Sequence, residues 1–306
     1  NGASLHLSDF ASNFQPSHWA AATTSAQAAN AIVQNNSWGF DEQYGAAGAD
    51  VFINYMNNNS VSGEATLVHF QSVDTDSDGV YDVGASSGQK TWTTSDWTGY
   101  VNALNNFQTQ GVVVFALSND SSKTDADISA ALPELFPQLQ EAWITAANVD
   151  INGSGSWDTK TFTLMSAPCG STAEYCVAGD GYGITLPGTG SSNNFGSGNT
   201  TYHLTAGSSF VAPQVSGAIA LLANHFPNHT VEQLVDRLLA SANNDSNGTF
   251  AQIGTVNFGN GVVHGYSHQA GHGIMDILKA LGAITSDSYA RSVYSGANNL
   301  SGNRYD

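Results

Sequence analysis

The stretch TAGSSFVAPQVSGAIALLANHF, Thr205 to Phe226, decides how the rest of this sequence reads. Gly207, Ser208 and Ser209 run into Pro213 and then into residues that are almost all small or apolar. Laid on a helix, the segment is hydrophobic on every side, the mark of a helix buried at the centre of a domain. Glycine lets the backbone turn sharply and proline is tolerated in a helix's first turn, so the order reads as turn, then helix. Two serine hydroxyls then stand at the mouth of that helix, beside backbone N–H groups with no helical partner and the positive end of the dipole. Such a place suits a nucleophile whose attack creates an oxyanion. It equally suits Ser208 as a plain helix cap with no chemistry.

Outward from this helix, AIVQNNSW, GVVVFAL, EAWITAANV and YCVAG carry Val, Ile and other apolar residues in continuous runs, as strands covered on both faces do. Between the first two, SDWTGYVNALNNFQTQG reads as a helix with Ser95 or Asp96 as N-cap and Gly111 as its stop. Strand, helix, strand is the order a parallel sheet requires. NHTVEQLVDRLLASANN reads as an amphipathic surface helix opened by a capping box at Thr230 and Gln233, with Leu234, Val235, Leu238, Leu239 and Ala242 on one face. GIMDILKALGAI supplies a last helix, followed by a polar tail from Thr285.

The chain has 306 residues, 41% of them hydrophobic, enough for one large core. Its 25 acidic residues against 7 basic ones give a formal net charge of −18. So few Lys and Arg cannot neutralise phosphates, which excludes nucleic acid and an anionic membrane surface as partners. No apolar run reaches the roughly 18 residues that span a bilayer, and NGASLHLSDF at the start lacks the regions of a signal peptide. A surface of Asn, Ser, Thr, Gly and Asp fits a secreted or cell-surface setting. There Cys169 and Cys176 favour a local disulfide over two free thiols, and their spacing is too wide for a metal-binding knuckle.

GSSFVAP followed by VSGAIALL resembles the nucleophile segment of the subtilisin-like serine proteases, where a Gly-Thr-Ser-Met-Ala-x-Pro pattern opens the central helix. That resemblance makes Ser209 the nucleophile. GVVVFALSND resembles the family strand ending in Ala-Gly-Asn, which assigns Asn119 to the oxyanion hole. IVQNNSWG resembles the strand beside the substrate backbone, so Ser37, Trp38 and Gly39 would form one wall of a cleft and Ala116, Leu117 and Ser118 the other. AWITAANVD and GHGIMDILKAL fall where the family has a core strand and a closing helix. The implied fold is α/β, a three-layer sandwich with a central, mostly parallel sheet and a buried central helix.

The family's Asp-Thr-Gly and His-Gly-Thr-His patterns should precede the substrate strand, and neither occurs here. NGASLHLSDF resembles the segment just after the histidine helix, so residue 1 would lie inside the domain. The expected organisation is a catalytic unit over residues 1–285 missing its first strands, an insertion at about 40–95, and a tail over 286–306. HGYSHQAGHG, His264 to Gly273, reads as a structural loop rather than a metal site or a substitute triad histidine, and His6 and Asp9 as surface residues. Ser118 stands where the family has glycine and would narrow the pocket for the first substrate side chain. Ser208 stands for threonine, a small change.

Inside the insertion, DTDSDGVYD places Asp74, Asp76, Asp78, Asp82 and the Val80 carbonyl as a calcium loop resembles them, with Gly79 for the tight turn. Ala85 holds the position where a bidentate glutamate would close an EF-hand, so a structural Ca²⁺ would take a ligand from elsewhere; a solvated acidic turn is the alternative. The sequons at Asn199 and Asn228 are expected by chance in so Asn- and Ser-rich a chain. The expected activity is that of a serine endopeptidase acting on protein or peptide, with Asp and His from an N-terminal segment that could be cleaved yet docked. The alternative is an inactive relative serving as an extracellular binding or structural unit.

Overall fold

The computed structural model describes residues 4–9, 14–40, 48–70, 92–154, 160–187, 194–195, 202–244, 250–259 and 261–282. In chain order the elements are α1 (Pro16–Ala28), β1 (Val33–Asn36), α2 (Ala49–Asn59), α3 (Gly63–Phe70), α4 (Thr94–Phe107), β2 (Val112–Ala116), α5 (Leu132–Leu135), β3 (Trp143–Asn152) and β4 (Thr161–Leu164). There follow β5 (Cys176–Asp180), β6 (Ile184–Pro187), β7 (Asn194–Phe195), β8 (Tyr202–Thr205), α6 (Ser208–His225), α7 (Val231–Ser241), β9 (Gln252–Asn257), β10 (Val263–Ser267) and α8 (Ile277–Leu281). β1, β2, β3 and β5 are parallel neighbours in that order, with Val33 opposite Val112, Val113 opposite Trp143 and Thr145 opposite Cys176. β4 pairs antiparallel with the far end of β3. The sheet is mostly parallel, as the continuous apolar runs predict, and every residue of β2 is buried.

α6 packs across β1, β2, β3 and β5 and touches α7. The opposite layer is aromatic. Trp19 of α1 lies 4.9 Å from Trp38, 5.4 Å from Phe40 and 5.5 Å from Tyr100 of α4, measured between ring centroids. Trp38 reaches Phe115 of β2 at 5.7 Å, which ties this layer to the sheet. Rings bury much apolar area for few rotatable bonds, so the cluster fixes where β1 ends and how the chain leaves it.

Four sequence expectations are corrected. α4 is capped by Thr93, not Ser95 or Asp96; Asp96 is the reciprocal member of the box, its carboxylate accepting from the Thr93 N–H at 2.8 Å. α7 has the expected Thr230–Gln233 box, yet it is no surface helix: Asp236 and Arg237 are each 1% exposed. Arg237 Nε donates to Ala280 O at 3.0 Å and its second nitrogen to Gly282 O, while its guanidinium lies 4.0 Å from the Phe226 ring centroid. Burial holds the Arg237 guanidinium down to about 10. α6 is not covered on every side, because Pro213, Gln214, Gly217 and Leu221 are exposed, Leu221 at 57%. Finally, Pro213 is the sixth residue of α6, not part of its first turn.

Candidate active site

The displaced proline has a local consequence. Pro213 has no N–H, so the carbonyl of Ser209, four residues earlier, loses its helical donor. The Ser37 hydroxyl supplies one, donating to Ser209 O at 3.1 Å, and itself accepts from Asn35 Nδ2 at 2.9 Å. The end of β1 is thereby tied to the residue predicted as nucleophile. Ser209 is half-buried at the second position of an 18-residue helix.

The loop after β2 approaches the same point. Asn119 Oδ1 accepts the Ser208 N–H at 2.9 Å and lies 3.1 Å from Ser208 Oγ, whose single proton is shared with the Leu117 carbonyl. An N–H can only donate, so this contact assigns the amide: Oδ1 faces the helix and Nδ2, with both its hydrogens, is left as a donor beside Gly207. A Cβ on Gly207 would stand 3.1 Å from Asn119 Oδ1, close enough that the Asn119 side chain would have to shift. Asn119 itself is exposed, whereas Ser208 is 1% exposed. Ser208 therefore orients Asn119, a role that its reading as a small turn residue misses.

A second set of contacts holds the loop from behind. Asp127, 2% exposed, accepts from Ser118 N at 2.5 Å, Ala130 N at 3.2 Å and Ser129 Oγ at 2.6 Å. Ala167 N donates to Ser118 O at 2.8 Å. From β3, Asn148 Oδ1 accepts the Gly181 N–H at 2.9 Å, and Gly181 O accepts the Gly207 N–H at 3.0 Å. A Cβ on Gly181 would fall 2.6 Å from Gly207 O, so these backbones approach as closely as glycine allows. Next to Asn119, the hydroxyl and N–H of Ser122 hold the Asp120 carboxyl below the usual carboxylate range.

Of the predicted cleft walls, Gly39 is exposed and Ser37, Trp38 and Ser118 are half-buried, while Ala116 and Leu117 are 6% and 2% exposed. The last two can offer a ligand little beyond backbone. Cys169 and Cys176 form the expected disulfide, with Cα atoms 5.9 Å apart. Asp74, Asp76, Asp78, Val80 and Asp82, the predicted calcium ligands, lie outside the described residues. His264 lies on β10 rather than in the expected loop, and both it and His272 are buried against backbone carbonyls near the Cys176 end of β5. His6 Nε2 meets Ser25 Oγ at 3.1 Å and His18 meets the Asp9 carbonyl, both on the exposed side of α1. Among the described residues no histidine hydrogen-bonds to Ser209.

The arrangement can hold a hydroxyl, a helix N-terminus and an amide donor around one point. Comparison with known proteins identifies the family. The sequence matches the model of the subtilase family over residues 2–273. It is 32% identical over 133 residues to serotype-specific antigen 1 of Mannheimia haemolytica, covering 43% of this chain and 13% of that protein. It is 27% identical over 136 residues to an extracellular serine protease of Serratia marcescens, covering 40% and 12%. The chain thus spans about one-eighth of the length of these relatives. Fervidolysin from Fervidobacterium pennivorans, a keratinolytic enzyme related to subtilisin, is similar in structure with a TM-score of 0.40 and 22% identity, over 62% of this chain and 25% of that one.

Proposed function

Because the chain belongs to the subtilase family, a family of serine proteases, we propose that it forms the larger part of a secreted or cell-surface endopeptidase with Ser209 as nucleophile. The observation that carries this reading is the double contact of Ser208 on Asn119 Oδ1, which leaves Nδ2 as a donor at the mouth of α6. Ser209 Oγ attacks the scissile carbonyl carbon and passes its proton to a histidine base. The carbonyl oxygen, now negative, is held by Asn119 Nδ2 and the Ser209 N–H. Collapse breaks the C–N bond, the histidine returns the proton to the leaving amine, and water hydrolyses the resulting ester. Protein or peptide is the substrate, with Ser37, Trp38, Gly39 and Ser118 beside its backbone and first side chain.

The histidine and its aspartate belong to an N-terminal segment of the same precursor, which docks whether or not it is cleaved. Two surfaces support this. β1 has β2 on one side and, among the described residues, no strand on the other. The exposed face of α6 offers Pro213, Gly217 and Leu221 in one row. A strand pairing with β1 and a helix lying on that row would complete the burial that the composition of α6 demands. Residues 1–285 form this catalytic unit, the stretch from about 40 to 95 is its insertion, carrying Ca²⁺ on Asp74, Asp76, Asp78, Val80 and Asp82, and 286–306 is a tail.

Peptide hydrolysis by the natural precursor tests the proposal. Ser209→Ala is expected to abolish turnover. Asn119→Ala is expected to lower kcat by about 10²–10³, the loss seen on removing one oxyanion donor from subtilisin itself. Full activity in either variant would refute the assignment.

A further inference from the structure

His264 of β10 and His272 just beyond it are 4% and 0% exposed, and their Nδ1 atoms face each other at 3.1 Å. The other nitrogen of each ring meets a backbone carbonyl: His264 Nε2 lies 3.0 Å from Ala242 O, and His272 Nε2 lies 3.0 Å from Glu174 O. A carbonyl oxygen only accepts, so both Nε2 atoms must carry hydrogen. A hydrogen bond between the two Nδ1 atoms needs one hydrogen more. Four ring nitrogens thus call for three protons, while two neutral imidazoles bring two.

We propose that His264 and His272 share an extra proton between their Nδ1 atoms, a buried monocation that fastens the β9–β10 hairpin to the domain. With two protons, either two Nδ1 lone pairs oppose each other or one Nε2 turns a lone pair on a carbonyl; each leaves a buried bond unmade. With four, two N–H groups and two positive charges collide. Burial disfavours any cation, but here two carbonyl dipoles point at the pair. The titratable groups on the elements packed around it are Glu174 and Tyr175 of the disulfide loop, Tyr266 of β10, His268 in the turn after it, Asp180 at the far end of β5, and Glu232, Asp236 and Arg237 of α7. Tyr266 Oη donates to Glu174 Oε1 at 2.7 Å, its ring is 5.9 Å from His272, and Arg237 is turned to the carbonyls of Ala280 and Gly282. A metal would use both Nδ1 lone pairs and also leave Nε2 donating to carbonyls. It would need further ligands, and among the described residues no group of three surrounds the pair.

The proton joins four parts of the chain. His264 sits on the hairpin, Ala242 ends α7, Glu174 lies in the loop closed by Cys169 and Cys176, and the His272 N–H donates to Cys176 O at 2.9 Å. In the unfolded chain the two histidines titrate independently near about pH 6.5. Above that value the folded pair keeps one proton that the unfolded chain has lost, so stability falls as pH rises through the pair's own deprotonation. Below it the unfolded chain binds two protons and the folded pair one, so stability falls again as pH drops. The pair therefore stabilises the fold most near neutrality and releases the hairpin on both sides.

Ring-nitrogen NMR of the full chain, labelled with ¹⁵N-histidine, tests this at pH 7. Three protonated nitrogens and one bare nitrogen are expected from the pair, with one proton coupled to two Nδ1 atoms, a signal that identifies the pair without any variant. Two protonated and two bare nitrogens, from neutral rings or a bridging metal, would overturn it, as would four protonated ones. The stability difference between wild type and His264→Gln should peak near neutrality and shrink toward pH 5 and pH 9; a difference independent of pH would equally overturn it.

Discussion

Replacing Asp127 by alanine is the sharpest structural test of how the loop after β2 is held. Its carboxylate accepts from two backbone N–H groups, those of Ser118 and Ala130, and from the Ser129 hydroxyl. A hydroxyl can turn to another acceptor, but a backbone N–H in a buried turn cannot. Each N–H left unsatisfied costs about 1–3 kcal/mol, so Asp127→Ala is expected to lose roughly 4 kcal/mol. Asp127→Asn keeps one acceptor oxygen but presents an NH₂ to the second donor, and should lose about half as much. Urea unfolding measures both, with an unchanged m-value showing that the loss belongs to the folded state. A domain of this size shifts by about 2–4 °C per kcal/mol, so the alanine variant should melt roughly 10 °C lower. A loss under about 1 kcal/mol, or an asparagine variant as damaged as alanine, would refute the reasoning.

Three further outcomes rest on the disulfide, a buried carboxyl and the acidic loop. Reducing the Cys169–Cys176 disulfide, or replacing both residues by serine, should cost roughly 2–3 kcal/mol for a loop this short, measured by chemical unfolding. Burial raises the Glu134 carboxyl above its usual range, against a smaller lowering by the Tyr175 hydroxyl. The unfolded chain then ionises first, so stability conferred at low pH is lost as pH rises through the folded value. Glu134→Gln should accordingly gain on wild type as pH rises above about 4, where the unfolded carboxyl ionises, and parallel curves would contradict it. If Asp74 to Asp82 carry Ca²⁺, adding a chelator should lower the melting temperature of the natural protein; an unchanged value would remove the proposed site.

Much of the frame is legible in the sequence because it depends on near neighbours. The continuous apolar run of β2 becomes a fully buried strand, and the Thr230–Gln233 box forms as spelled. The contacts that build the candidate site are different in kind. Ser208 serves an amide 89 positions away, and Ser37 serves a carbonyl 172 positions away. No periodicity announces such pairs. One signal is available: a proline four residues after Ser209 orphans its carbonyl and so demands a donor from elsewhere. Asp127 gives no such sign, since a buried carboxylate collecting backbone N–H groups looks in sequence like any loop aspartate. The composition of α6 reads as buried all round, and the open row Pro213, Gly217 and Leu221 shows where it asks for a covering that the described residues do not supply.

The central claim is that Ser209 is a working nucleophile once the N-terminal segment is docked. Its most direct test is reaction of the product of the natural precursor with a fluorophosphonate, followed by intact-mass and peptide mapping. The account predicts one adduct per chain, on Ser209, in a sample that also contains the segment bearing the aspartate and histidine. No adduct on a folded protein that carries both motifs, or an adduct on another residue, would contradict it.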